Sequence, residues 1–234
     1  MPRVSPLSTQ LFLALVAALA ALFATALRRA IQRDGGSRLR GTLTALLLLG
    51  VWLGVSGTLA SRGAVSDFSR LPPPFMLMAF AYLLATLALA FSPLGSQLAA
   101  HTSLAGLVGY QVFRLPLELW LYAQYQVGVL PVQMTWLGLN FDVATGVTAP
   151  LLAVFIARGG APRALVLAWN CLGLALLVAV VSIAVLSTPS PLRAFANDPP
   201  IRFVTEPPFV WLPAFLVQGA LLGHVLVFRR LAQK

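Results

Sequence analysis

Seven apolar runs, each about as long as a bilayer is thick, constrain this chain more than any other feature. They fall at about 11–27, 41–60, 75–91, 102–127, 139–157, 164–186 and 209–228. A transmembrane helix needs about 20 apolar residues, so the pattern predicts an all-α polytopic bundle of seven helices. It forms a single transmembrane domain over 1–234. With 59% hydrophobic and 9% charged residues and a mean hydropathy of +0.88, the chain cannot present a wet surface, because soluble domains carry about a quarter charged residues. The lipid bilayer is therefore its first expected partner.

The basic residues set an orientation. Arg28, Arg29, Arg33, Arg38 and Arg40 oppose only Asp34 between the first two runs, and Arg158 and Arg163 flank a tight Gly-Gly-Ala-Pro turn. With Arg229, Arg230 and Lys234, ten basic residues fall on one side, against Arg3, Arg62, Arg70, Arg193 and Arg202 on the other. Cytoplasmic loops carry the excess of Lys and Arg, which predicts N-terminus outside, C-terminus cytoplasmic, and a multi-pass protein of a bacterial inner membrane. The segment Ser92–His101 reads as an inner loop without Lys or Arg. Ala24-Thr25-Ala26 offers a small-x-small cleavage pattern, but the basic residues follow the first run rather than precede it, so the first span is expected to be retained. The net charge of +10 reflects these short flanks and not a nucleic-acid-binding face. An anionic lipid or a protein at the Arg28–Arg40 loop is the partner that this charge fits. Cys171, the only cysteine, excludes an internal disulfide and is expected to be a small core residue.

Charge inside the spans is confined to Tyr110–Pro150. Arg114 and Glu118 are i and i+4 on one helix, so they share a face and are expected to pair. Counting about 1.5 Å per residue from the inner ends places Arg114 about 18 Å deep, and Glu118 and Asp142 roughly 23 Å deep. The short connection between these runs predicts that Arg114, Glu118 and Asp142 meet. Tyr110, Gln111, Tyr122, Gln133, Asn140 and Thr145 complete the candidate binding set, with Tyr125, Gln126 and Thr148 nearby. Pro116, Pro150 and Pro213 each free the carbonyl four residues earlier: Val112, Gly146 and Phe209. Intramembrane ionisable groups mark binding sites or ion paths, which points to an outward-facing polar pocket for a small solute or proton. Equally, an ion pair can be a staple that fixes helix geometry, in a non-catalytic interaction or sensor subunit.

Other motifs carry less. His101 and His224 are weak candidates for a haem or metal, and no other cofactor motif is present. Asn170 and Gln218 read as interhelical hydrogen-bond glue. Gly54-Val55-Ser56-Gly57 matches the GxSG of rhomboid proteases, but Ser56 and His224 are expected at opposite ends of their spans, and a Ser–His dyad needs hydrogen-bond reach. There is no complete nucleophile–base set and no HExxH. Rhodopsins and G-protein-coupled receptors share only the helix count and orientation, since the only lysine is Lys234 and no Asp-Arg-Tyr or Asn-Pro-x-x-Tyr occurs.

Phe113-Arg114-Leu115-Pro116 with Glu118, then Pro131 and Gln133-Met134-Thr135, then Asn140-Phe141-Asp142 with Thr145-Gly146 and Thr148-Ala149-Pro150, resemble a group of uncharacterised bacterial seven-span membrane proteins. Trp211-Leu212-Pro213 through His224 is similar too. The resemblance implies architecture and bacterial origin, with no activity attached. Leu139 stands where the group carries an arginine, which removes one charge from the loop.

Overall fold

The computed structural model describes residues 4–233, so the expectations placed on Arg3 and Lys234 lie outside the described residues. The described chain is helical and contains no strand. Its helices are α1 (Pro6–Arg33), α2 (Arg38–Ser61), α3 (Pro74–Phe91), α4 (Pro93–His101), α5 (Leu104–Gly109), α6 (Arg114–Gln126), α7 (Val143–Ala157), α8 (Arg163–Leu186) and α9 (Val217–Ala232). A π-helical turn, Leu212–Leu216, runs directly into α9. Five helical segments are long and apolar enough to cross a membrane: α1, α2, α3, α8 and Leu212–Ala232.

Several boundaries differ from the sequence pattern, each for a local reason. Ser5 caps α1 with its hydroxyl on the Ser8 N–H, and Pro6 sits at the first helical position. The helix then runs on to Arg33, so most of the basic segment expected as a loop is helix, and only 34–37 turns. Ser92–His101, expected as a loop, is largely the helix α4: Ser92 caps it through the Gly95 N–H, and Pro93 starts it. The carbonyls at its C-terminal end are met by arginines. Arg33 Nη1 donates to His101 O at 2.7 Å and Arg230 Nη1 to Ala100 O at 3.2 Å. Arg229 reaches back to Ser96 Oγ at 2.8 Å and to Ala90 O. Donors at a helix C-terminus satisfy its orphan carbonyls and suit its dipole. The basic ends of α1 and α9 therefore converge on α4.

The run expected as a single fourth span, 102–127, is segmented. Between α5 and α6 the backbone tightens into a 3-10 turn, Tyr110–Phe113. Pro116 has no N–H to give to Val112, and the tightened turn lets the Arg114 N–H serve Gln111 O and Val112 O instead. The Phe209 carbonyl, freed by Pro213, likewise receives the Leu212 N–H at 2.9 Å. The fifth run begins with turns, and α7 starts only at Val143.

The segment Leu212–Ala232 is the centre of the bundle: 56% of its most apolar window is buried, against 17–28% in the other four long segments. Around it α3, α4, α5 and α8 pack, while α1 packs on α2, α4 and α6. At one end Phe12, Trp120, Phe203 and Phe209 form an aromatic cluster with centroid separations of 5.1–6.0 Å. There Trp120 Nε1 and Gln124 Nε2 also hold Ser8 O and Ser8 Oγ, at 2.8 and 2.9 Å. Cys171 is exposed and not a core residue. The buried stripe of α8 runs through Val166, Asn170, Gly173, Leu177 and Val180, and position 171 falls off it.

Candidate functional site: a buried ionisable centre

Arg114 opens α6 beneath the 3-10 turn and is 1% exposed. Its Nε donates to Asp142 Oδ2 at 2.8 Å. Its Nη1 lies 3.1 Å from His224 Nε2 on α9 and 3.4 Å from Gly173 O on α8. Its Nη2 is buried with no partner among the described residues. One guanidinium thus ties together four elements.

Asp142 reaches Arg114 because the chain before α7 is folded into a tight polar turn. The Gly138 and Asn140 N–H groups both donate to Thr135 O. A Cβ on Gly138 would stand 2.5 Å from Val132 O, so the turn closes only around glycine. Asn140 is the keystone: its Nδ2 donates to Glu118 Oε2 at 2.7 Å and to Met134 O at 3.0 Å, and its Oδ1 accepts the Asp142 N–H at 3.1 Å. Thr145 Oγ1 lies 3.5 Å from Asp142 Oδ1.

Gly146 sets the approach of α7. A Cβ there would lie 2.5 Å from Leu115 N and 3.1 Å from Arg114 C, which is backbone and cannot yield. Gly146→Ala is expected to lower stability by about 1–3 kcal/mol, the usual cost of overpacking. Thermal unfolding in detergent checks this, and an unchanged midpoint would refute the close approach.

Hydrogen-bond bookkeeping fixes the imidazole. An arginine only donates, so His224 Nε2 must accept from Arg114 and the ring proton sits on Nδ1. That nitrogen lies 2.8 Å from Asn170 Oδ1, and Asn170 Nδ2 in turn donates to His224 O at 3.0 Å. Gly173 makes room for the ring, since a Cβ there would stand 2.6 Å from His224 Cε1.

Of the sequence candidates, Arg114, Glu118, Asp142, Asn140 and Thr145 come together, all at most 4% exposed. The expected Arg114–Glu118 ion pair is not formed: the arginine takes Asp142, and Glu118 takes Asn140. Tyr110 and Gln111 stand beside the centre and anchor α9, through Gly219 O and, at 3.0 Å, Ala220 O. Tyr122 and Gln133 lie elsewhere. Tyr122 stacks on Trp136 with centroids 4.5 Å apart and accepts from Gln126, and Gln133 donates to Ser187 Oγ at 3.0 Å. His101 faces Asp34 at 3.7 Å, so the two histidines have different partners and do not form one site. No group of three or more His, Cys, Asp or Glu able to hold a metal occurs among the described residues. Ser56 spends its hydroxyl on Trp52 O and Leu53 O, at 2.9 and 3.2 Å, as a helix-backbone contact. His224 and Asn170 are the members that sequence reasoning assigned elsewhere. Their signal was that each is a lone polar residue in an apolar run.

The cluster holds one guanidinium and two carboxyl groups. Ionised together, they would leave one negative charge in a site sealed from water, and burying an uncompensated charge costs several kcal/mol.

No curated protein and no solved structure matches the chain. Residues 72–232, more than half of it and including every member of the ionisable centre, match the family described as a domain of unknown function, DUF8737, and the chain belongs to that family.

Proposed function

We propose that this is a seven-span protein of a bacterial inner membrane, N-terminus outside and C-terminus cytoplasmic, whose buried Arg114–Asp142–Glu118–His224 centre binds or moves a proton or small solute. The α5–α6 run supplies the fourth crossing in this reading, and α7 with the turn before it supplies the fifth. With 15 residues, α7 is about 22 Å long, short of a bilayer core of about 30 Å. Its missing length is made up by the 139–142 turn, in which the N–H groups of Leu139, Asn140 and Asp142 donate to Gln133 O, Thr135 O and Asn140 Oδ1. Non-helical backbone at membrane depth occurs where it is buried in protein or lines a site.

The observation that carries the reading is the charge imbalance: Glu118 is 1% exposed, and its only hydrogen-bond partner among the described residues is the neutral Asn140. The test is flux in proteoliposomes loaded with a pH-sensitive dye, under an imposed voltage. Proton movement above that of protein-free vesicles is expected, with a loss of about tenfold or more in Glu118→Gln, since removing an obligate proton carrier leaves no alternative route. The variant's elution and unfolding midpoint should stay close to those of the parent.

A second reading rests on Arg114 itself. Its bonds reach Asp142, α8 and α9, as in a staple that fixes helix register in an interaction or sensor subunit. Equal flux in parent, Glu118→Gln and empty vesicles, together with a lower midpoint in the variant, would favour that reading.

A further inference from the structure

A cavity of about 460 Å³ lies between α1, α2, α3, α4, α5 and α9, and Tyr110, which stands beside the ionisable centre, lines it. Its volume is within the roughly 300–1,000 Å³ of small-molecule sites. Its walls run along α1 from Leu19 to Arg33, a slot of about 21 Å at 1.5 Å per residue. One leaflet of a bilayer core is about 15 Å thick, so the slot spans a leaflet and reaches into the headgroup layer.

The two ends differ. The body is apolar, built from residues such as Phe23, Leu48, Leu89 and Leu222. Several of the polar groups in it are already engaged. Thr86 Oγ1 donates to Gln218 Oε1 at 2.9 Å, Gln218 Nε2 to Pro213 O at 3.1 Å, Trp52 Nε1 to Ala214 O at 2.6 Å, and Tyr110 OH to Gly219 O. A polar solute would find few free partners there, whereas a hydrocarbon chain needs none. The mouth carries Arg29, Arg33 and His101. Arg29 is exposed and makes no hydrogen bond or ion pair among the described residues, and Arg33 uses one nitrogen on His101 O. The nearby acid, Asp34, is already engaged by Gln97 and His101. Leu22 lines the cavity yet is 53% exposed, so the slot opens sideways.

We infer that this slot seats one acyl chain of an anionic glycerophospholipid, which enters past Leu22 and sets its phosphate on Arg29 and Arg33. The chain accounts for the apolar, leaflet-long body, and the phosphate for the two guanidinium groups at its mouth. The site is independent of the proton or solute reading, because Glu118, Asp142 and His224 take no part in it.

Native mass spectrometry of the detergent-purified protein with equal phosphatidylglycerol and phosphatidylcholine tests it. Retention of phosphatidylglycerol is expected to be about tenfold the greater, as two arginines at a membrane surface allow. Arg29→Gln with Arg33→Gln should bring the ratio near one without changing elution of the folded protein. Ala26→Phe places a ring in the slot and should weaken phosphatidylglycerol binding with both arginines intact. Glycerol 3-phosphate at millimolar concentration should not displace the lipid. Equal retention of the two lipids, a preference that survives the double arginine change, or displacement by glycerol 3-phosphate would each overturn the inference. The arginine variants lie on an exposed rim and decide the question even if Ala26→Phe does not fold.

Discussion

Asp142→Ala is expected to destabilise the protein by about 3–5 kcal/mol, the usual consequence of removing one partner from a buried ion pair. The aspartate is 4% exposed and the arginine 1%, so neither water nor a neighbouring acid can replace the lost carboxylate. Glu118 is the nearest alternative by sequence, but Asn140 holds it at 2.7 Å and is itself anchored to Met134 O. The loss is specific to the stranded charge and not to the missing volume. Arg114→Met combined with Asp142→Leu should therefore recover most of the stability, since an apolar pair of similar size is often neutral against a buried ion pair. Unfolding midpoints of the parent, Arg114→Met, Asp142→Leu and the double variant form a thermodynamic cycle with a coupling of about 2 kcal/mol or more. Additive losses would mean that Arg114 and Asp142 do not depend on each other.

The helices were legible because their cause is written locally. Runs of some 20 apolar residues bounded by Arg, Pro and Gly can do little else in lipid, and the expected limits of α2, α3 and α8 lie within three residues of those observed. The approach of Asp142 to Arg114 and Glu118 was legible too, because only residues 128–138 separate the two apolar runs that carry them. The pairing inside the cluster was not. An i, i+4 argument places Glu118 beside Arg114 on an isolated helix. The turn at Asn140 and the bare backbone at Gly146 then bring a different carboxylate closer and give Glu118 a partner of its own. Cys171 could have been placed from the buried spacing of its neighbours, since Val166, Asn170, Gly173 and Leu177 define a helical stripe that excludes it. Segments such as α4 are harder to read, because a helix of nine residues is too short for a hydropathy signal and is held by arginines remote in sequence. His224 stood out only as a lone polar residue in an apolar run, and its partners could not be read from that, since they lie on α6 and α8, 110 and 54 residues away.

That remoteness makes His224 the sharper probe of how the bundle is assembled. Among the described residues, only His224 bridges α9 to both α6 and α8 through side-chain hydrogen bonds within the centre, by way of Arg114 and Asn170. Replacing it with alanine leaves Arg114 Nη1 with a single 3.4 Å contact to Gly173 O, and Asn170 Oδ1 loses its donor. Hydrogen bonds to a charged group contribute about 1.5–3 kcal/mol, while neutral interhelical bonds in membranes average about 0.6 kcal/mol. His224→Ala should therefore lower stability by about 2–4 kcal/mol, with Asn170→Leu, which touches only the neutral bond and the His224 carbonyl, costing less. Side-chain volume alone gives the same order, because a His→Ala truncation leaves a cavity and a well-packed Asn→Leu swap does not. His224→Gln separates the two causes. Its amide oxygen can accept from Arg114 without filling the ring's place, and recovery of about half the loss would assign the effect to the hydrogen bond. No recovery in His224→Gln, with full recovery in His224→Phe, would instead make the imidazole a space-filler against Gly173 and leave Arg114 held by Asp142 alone.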